Sequence, residues 1–255
     1  MRPALMQSAI WSCSLRLPAL PRAWASVRAR GITLANADTR PTRVSAHHSA
    51  TELLALHGVR VLGAPGSAQL ARRFRLDPAE VREALLDAQA FGWVSRYDFL
   101  GDVTWSLTDA GRAQEERLLA AELDDTGARD LVVQAHSDFL PLNRLHGMAC
   151  TNWQLHPTSW DPSGRNDHTD LRWDAAALDD LARADAGLGA ICGRLTAVLA
   201  RFDGYAEAHH SALHRVQRGD AAWLDGPDRA SCQLVWIGFH EDLLATLGIA
   251  RGADN

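Results

Sequence analysis

The sequence predicts a mainly α-helical protein that contains one small β-hairpin. From residue 50 almost to the C-terminus, apolar residues recur at the three- and four-residue spacing of amphipathic helices. Two segments rich in β-branched and aromatic residues, 93–97 and 103–107, flank a turn containing Gly101 and Asp102, which is the pattern of a hairpin. Strand patterns are weak in the rest of the chain, so we expect helices there.

Composition limits the class of protein. Of the 255 residues, 47% are hydrophobic and 22% are charged, so the chain can bury a core and can hold two domains. The four cysteines are far apart and form no CxxC pair, so the sequence predicts no disulfide framework. This favours a reducing, cytoplasmic location. No apolar run approaches the ~20 residues of a membrane span, so we expect no membrane contact. All 26 basic residues are arginine, which is typical of a GC-rich bacterial coding sequence.

Residues 1–49 are expected to lie outside the folded domains. They show no sustained periodicity, contain four prolines, and hold seven arginines against a single acid, Asp38. We predict either a disordered extension or a start codon assigned too far upstream. The run Ala23-Trp24-Ala25 resembles a signal-peptidase site, but polar residues interrupt the apolar segment before it, which disfavours an export signal.

Residues 50–125 predict three helices before the hairpin and one after it. The first is apolar and ends at the glycine- and proline-rich turn 63–66, and Ser67 is placed to cap a short second helix. Asp77 and Pro78 start the third, because an N-cap carboxylate accepts bonds from free amides and proline suits the first helical turn. This order of elements predicts a winged helix-turn-helix domain whose wing is the β-hairpin.

Two strings around the hairpin carry a family resemblance. Residues 90–94 (AFGWV) and 105–112 (WSLTDAGR) resemble the wing and exit helix of MarR-like winged-helix transcriptional regulators. The resemblance covers residues 50–125 and does not include the flanking dimerisation helices of typical MarR proteins. The whole chain is similar to an actinobacterial group that joins this domain to an extra C-terminal helical domain. The resemblance implies DNA binding.

In a helix-turn-helix domain the third helix enters the major groove, and its exposed side chains meet base edges. With Val81, Ala84, Leu85 and Ala88 facing inward, Arg82 is the strongest base-reading side chain on the outward face. We expect DNA contacts from five arginines: Arg72, Arg73, Arg75, Arg82 and Arg96.

Acidic residues oppose this prediction. Residues 51–125 hold eight arginines and thirteen acids, and Glu83 and Asp87 would repel phosphate, whose neutralisation supplies most non-specific DNA affinity. The basic side chains of the second helix are equally well interpreted as a solvated face that balances nearby acids. The alternative function is a winged helix that docks a protein, as an accessory module of a metabolic enzyme, and does not bind DNA.

Residues 126–255 predict an all-helical bundle domain for effector binding or dimerisation. Helices are expected over 127–145, 175–184, 188–216 and 231–247, with a bend near Asp203-Gly204 and a polar connection over 158–173. Polar and aromatic side chains here predict a pocket for a small polar effector, with apolar walls and few polar anchors. Its expected residues are Asn143, Trp153, His168, Arg201, Trp236 and His240. The alternative is a buried hydrogen-bonded network that ties the connection to the bundle.

We expect neither a metal site nor enzymatic activity, and therefore no cofactor. His210 and His214 share a helical face, but an isolated HxxxH pair is a weak metal pattern, even with His240 farther along. The chain contains no P-loop, GxGxxG, GxSxG, HExxH or CxxC motif. The sequence therefore predicts a cytoplasmic regulator that binds an operator as a homodimer, under control of the C-terminal helical domain.

Overall fold

The computed structural model describes residues 45–99, 101–250 and 252–253. In this part of the chain, nine α-helices and one antiparallel sheet of two strands form a mainly helical fold, as predicted. In chain order the elements are α1 (Thr51–Leu62), α2 (Ser67–Phe74), α3 (Pro78–Ala90), β1 (Val94–Phe99), β2 (Asp102–Leu107), α4 (Asp109–Thr126), α5 (Arg129–Gln154), α6 (Leu171–Thr196), α7 (Tyr205–Gln217), α8 (Ala222–Asp225) and α9 (Cys232–Leu247). None of these helices has both the length and the apolar content needed to cross a bilayer. The predictions made for residues 1–44 fall outside the described residues.

Side-chain caps determine where four of the helices begin. Asp77 accepts hydrogen bonds from the amides of Ala79 and Glu80 at 2.7 and 3.2 Å, and α3 starts there as predicted. The other three caps are Thr108 before α4, Asp170 before α6 and Ser231 before α9. Each cap satisfies amides that have no partner within the helix, so these starts are encoded locally.

Helices α1, α2 and α3 and the hairpin share one apolar core. Helix α3 packs on α1, α2 and β1 through Val81, Leu85 and Ala88, all of which are buried as predicted. The opposite side of α3 is exposed, and it carries Arg82 and Leu86. The helix therefore presents one side to the core and the other to solvent.

The hairpin is anchored at the start of α4. Its strands pair from Val94 opposite Leu107 to Phe99 opposite Asp102. At its base, the Thr108 hydroxyl donates to the carbonyl oxygen of Gly92 at 2.7 Å. The Thr108 amide donates to the Trp93 carbonyl at 3.0 Å. These bonds fix the hairpin against the first turn of α4.

Helices α5 and α6 form a long antiparallel pair. Asp138 pairs with Arg194 near one end, at 2.5 Å, and the Trp173 indole nitrogen donates to the Asn152 carbonyl near the other, at 2.6 Å. Helices α7 and α9 complete the core of this region, which includes the fully buried side chains Phe139, Leu188, Phe202 and Phe239.

Helix boundaries in this region differ from the prediction. Helix α5 continues past residue 145 to Gln154, and α8 was not expected. Helix α6 runs unbroken through Gly187, where two helices were predicted. A Cβ atom at Gly187 would lie 2.5 Å from the Leu142 side chain, so this glycine permits close packing of α5 on α6. The break comes later, over 197–204, where Ala200–Phe202 forms a 3-10 helix.

Helix α9 packs on both α1 and α4. Leu53, Leu119 and Ala245, one from each helix, form a small buried apolar cluster at this contact. The chain passes from α4 to α5 through Gly127 at a φ of +63°, close to the predicted boundary between residues 125 and 126. The described residues on both sides of that boundary belong to one compact unit.

Candidate functional site

The surface expected to contact DNA consists of α3 and the hairpin. Arg82 is exposed and has no ion-pair partner among the described residues. Arg96 of β1 is also exposed and lies 3.5 Å from the Asp98 carboxylate. The exposed side of α3 also carries three carboxylates: those of Glu80, Glu83 and Asp87. The outward face of this helix is therefore acidic around a single arginine.

The other three expected arginines face the C-terminal helices. The Arg73 guanidinium lies 4.1 Å from the centroid of the Tyr205 ring and donates to the Asp203 carbonyl oxygen at 2.8 Å. Arg75 pairs with the Asp203 carboxylate at 2.5 Å. Arg72 is exposed and has no ion-pair partner in the described part of the chain. Arg73 and Arg75 thus contact α7 and the segment before it, whereas the guanidinium of Arg72 has no such partner in the described residues.

A buried ion network joins α1 and α4 to α9. Both ring nitrogens of His57 face carboxylates: Nδ1 lies 2.8 Å from Glu115 and Nε2 lies 3.0 Å from Asp242. The Arg201 guanidinium donates to Glu122 at 2.9 Å and to Asp242. All five side chains are almost completely buried, so each charge depends on its partners instead of water.

Arg60 extends the network towards the surface. Its guanidinium donates to Glu115 at 2.8 Å and to Glu241 at 2.9 Å, which links α1 with α4 and α9 a second time. The Tyr205 hydroxyl donates to the second oxygen of Asp242 at 3.0 Å. The network thus connects the helices on both sides of the predicted domain boundary.

The charge state of His57 follows from these contacts. Burial alone would lower the pKa of His57, but the charge of Asp242 and hydrogen bonds to Asp242 and Glu115 raise it above its ordinary value. Burial opposes ionisation of Asp242, yet the charges of His57 and Arg201 bring the pKa of Asp242 well below its usual range. A protonated His57 can donate from both ring nitrogens, to Glu115 and to Asp242.

We expect the stability of the protein to fall as pH rises above neutrality, because His57 then loses its proton. A group whose pKa is higher in the folded than in the unfolded protein stabilises the fold. This stabilisation is complete below the unfolded-state pKa, about 6.5 for histidine, and is lost as the pH rises through the folded-state pKa. The expected slope is up to about 1.4 kcal/mol per pH unit. Urea unfolding at successive pH values from 6 to 9 measures it.

The His57→Gln variant cannot titrate at this position and should show a flatter pH profile than the wild type. His214, exposed on α7, provides the matched control, since His214→Gln should retain the wild-type profile. A wild-type slope that persists in His57→Gln would contradict the assignment of the charge to His57.

The residues expected to line an effector pocket divide between separate places. On α9, the Trp236 indole nitrogen donates to Asn143 at 2.9 Å, and its ring stacks on His146 with centroids 4.1 Å apart. Burial and the neighbouring His209 lower the pKa of His146 to about 3, so this imidazole is neutral. The His240 ring lies 5.1 Å from the Phe139 ring. Trp236 is thus packed within the core.

The remaining three expected residues lie elsewhere. The Trp153 and His168 rings are 4.7 Å apart, beside the connection between α5 and α6. His168 Nδ1 lies 3.0 Å from the Asp174 carboxylate, at the start of α6. Arg201 belongs to the buried ion network described above. The six residues therefore do not line one pocket. Most of them make hydrogen bonds or ring contacts with neighbouring side chains, which is the kind of contact expected for the alternative, a hydrogen-bonded network.

A cleft of about 1850 Å³ instead lies between α1 and α2 on one side and α7 and α9 on the other. Its apolar lining includes Val61, Phe74, Leu234 and Ile237. Its charged lining consists of seven arginines, Arg60, Arg72, Arg73, Arg75, Arg112, Arg201 and Arg229, and four acids, Glu116, Asp203, Asp228 and Glu241. Sequence reasoning missed this cleft because its residues come from several helices and share no motif.

A smaller groove of about 410 Å³ lies between α1 and α3. Its acidic lining residues are Glu52, Glu80, Glu83 and Asp87, and its aromatic lining residues are Phe91 and Trp93. Phe91 and Trp93 stack with ring centroids 4.7 Å apart. The groove is anionic and carries an aromatic edge.

Within residues 45–99, 101–250 and 252–253, no three histidine, cysteine, aspartate or glutamate side chains are arranged to hold a metal ion. His210, considered above as a ligand, instead lies 2.8 Å from the Asp185 carboxylate through Nδ1.

Comparison with known proteins identifies no relative of this chain. No family model, no curated protein and no solved structure matches this chain.

Proposed function

We propose that the protein is a cytoplasmic DNA-binding transcription regulator of the MarR-like winged-helix type. The observation that carries this proposal is the placement of α3. It is the third helix before a hairpin, it packs inward on α1 and α2, and its other side is open to solvent. This is the arrangement in which a winged helix-turn-helix inserts its third helix into the major groove.

Arg82 and Arg96 lie on the surface that would meet DNA in this proposal, and Arg72 of α2 is a further exposed arginine without an ion-pair partner in the described residues. Arg82 lies on the outward side of α3, where a guanidinium donates to guanine edges. Arg96 lies on the hairpin, where the wing of such a domain meets the backbone. Operators are usually pseudo-palindromic, so we expect a homodimer to place two copies of α3 in successive grooves.

Replacing Arg82 with alanine is expected to weaken operator binding by about 10- to 100-fold, because one bidentate base contact is lost. Electrophoretic retardation with the DNA upstream of the gene measures the affinity at several salt concentrations. Wild-type binding should weaken steeply with salt. Arg218→Ala removes another exposed arginine, at the end of α7, and should leave the affinity unchanged. If the wild type causes no retardation at low salt, the proposal is wrong.

A second candidate function is a protein-docking module that does not bind DNA. The acidic groove between α1 and α3 favours it, because four carboxylates beside stacked aromatic rings suit a basic, partly apolar segment and repel phosphate. The same experiment separates the two candidates, since a docking module produces no salt-dependent retardation.

A further inference from the structure

A carboxylate occupies the outermost side of α3. Glu83 lies two positions from both Val81 and Leu85, which are buried, so with 3.6 residues per turn it projects from the opposite side of the helix. Arg82 is exposed beside it. Both residues belong to the N-terminal half of α3, which is the part of a helix-turn-helix recognition helix that reaches base edges. A DNA complex of this kind would therefore bring Glu83 to the bases together with Arg82.

The Glu83 carboxylate is free to meet a donor on another molecule. No side chain of the described residues pairs with it, whereas Glu115 and Glu122 are held by arginines. A carboxylate only accepts hydrogen bonds, and every phosphate of DNA repels it. It therefore weakens binding to all sequences alike unless a base supplies a hydrogen-bond donor.

Two bases offer such a donor in the major groove. Cytosine presents its N4 amino group, whereas adenine presents its N6 amino group beside the N7 acceptor, which would repel a carboxylate oxygen. Cytosine is therefore the base whose edge best suits Glu83. Arg82 has the opposite preference, because a guanidinium donates to O6 and N7 of guanine. The two adjacent residues thus differ in the base that each can recognise.

We propose that Glu83 is a specificity-determining residue of α3, whose carboxylate accepts a hydrogen bond from the N4 amino group of a cytosine in the operator. This inference rests on the proposed function. Any other base at that place leaves the desolvated carboxylate without a donor, so the wrong sequence is penalised. The acidic surface of α3 therefore lowers non-specific affinity, and the matched operator is favoured over other DNA.

Electrophoretic retardation with base-substituted duplexes tests this. The DNA upstream of the gene is first footprinted with the full chain, and each base pair of the protected site is then replaced in turn. For the wild type, replacing the cytosine that Glu83 contacts with thymine should weaken binding about tenfold, because thymine presents an acceptor there. Glu83→Ala should bind these two duplexes equally and should keep the wild-type preferences at the other base pairs.

Asp87→Asn is the matched control. Asp87 is another exposed carboxylate, about one turn further along α3, and it pairs with no side chain of the described residues. Removing its charge should strengthen binding to every duplex by the same factor and leave the base preferences unchanged. If Glu83→Ala keeps all base preferences, or loses its preference at a pair without cytosine, this inference is wrong and the proposed function stands. If the wild type retards no DNA, both are wrong.

Discussion

Replacing Arg201 with alanine is expected to lower the free energy of unfolding by about 3–5 kcal/mol. Its guanidinium is completely buried and meets Glu122, Asp242 and Thr246. Removing it leaves the negative charges of Glu122 and Asp242 in the interior without their shared guanidinium partner, which costs more than the lost attraction itself. Urea unfolding of wild type and variant, monitored by circular dichroism, measures the difference.

A matched control is Arg183→Ala. Arg183 also pairs with an aspartate, Asp180, but the pair lies on the exposed side of α6. Exposed pairs contribute about 0–1 kcal/mol, so this variant should be nearly as stable as the wild type. If Arg201→Ala were no more destabilising than Arg183→Ala, the network would not be the buried structure described above.

Gly111→Ala is expected to destabilise the protein by about 3 kcal/mol. A Cβ atom at Gly111 would lie 1.8 Å from the carbonyl oxygen of Trp93, and that backbone oxygen cannot move freely because it accepts from Thr108. The hairpin must therefore shift away from α4. Urea unfolding reports the loss, and a changed near-ultraviolet spectrum should report the displaced tryptophans at the hairpin base.

Gly147→Ala is the contrasting control. Apart from its chain neighbours and the backbone of its own helix, no atom lies within 4 Å of the added methyl group on the exposed side of α5. Alanine there should stabilise the protein by about 0.5–1 kcal/mol through higher helix propensity. A Gly111→Ala variant as stable as the wild type would show that the hairpin is not fixed against α4.

Local features of the fold could be predicted from the sequence because they depend on neighbouring residues. The Asp77 cap, the inward face of α3 and the hairpin after Gly92 each follow from residues a few positions apart. The sequence predicts two helices where the structure has the single helix α6. A glycine such as Gly187 commonly ends a helix, and only the structure shows that the Leu142 side chain occupies the space beside it.

The candidate site was harder to predict because it is built from distant residues. His57 appears as one polar residue in an apolar helix, and nothing near it in sequence indicates that Glu115 and Asp242 enclose it. In the sequence Arg73 looks like a surface cation, but in the structure its guanidinium stacks on Tyr205 and donates to the Asp203 carbonyl oxygen. Contacts between residues more than 100 positions apart leave no pattern in a single sequence.

Helix α1 packs in two parts of the fold at once, and this limits how the proposed regulator could change its conformation. Its Leu56 and Val59 fill the core beneath α3, whereas His57 is locked between Glu115 and Asp242. Between the helices that α1 joins, the described residues therefore contain no hinge about which these helices could swing apart. In the homodimer proposed above, we expect any change in the separation of the two α3 helices to arise from one whole subunit sliding or rotating against the other.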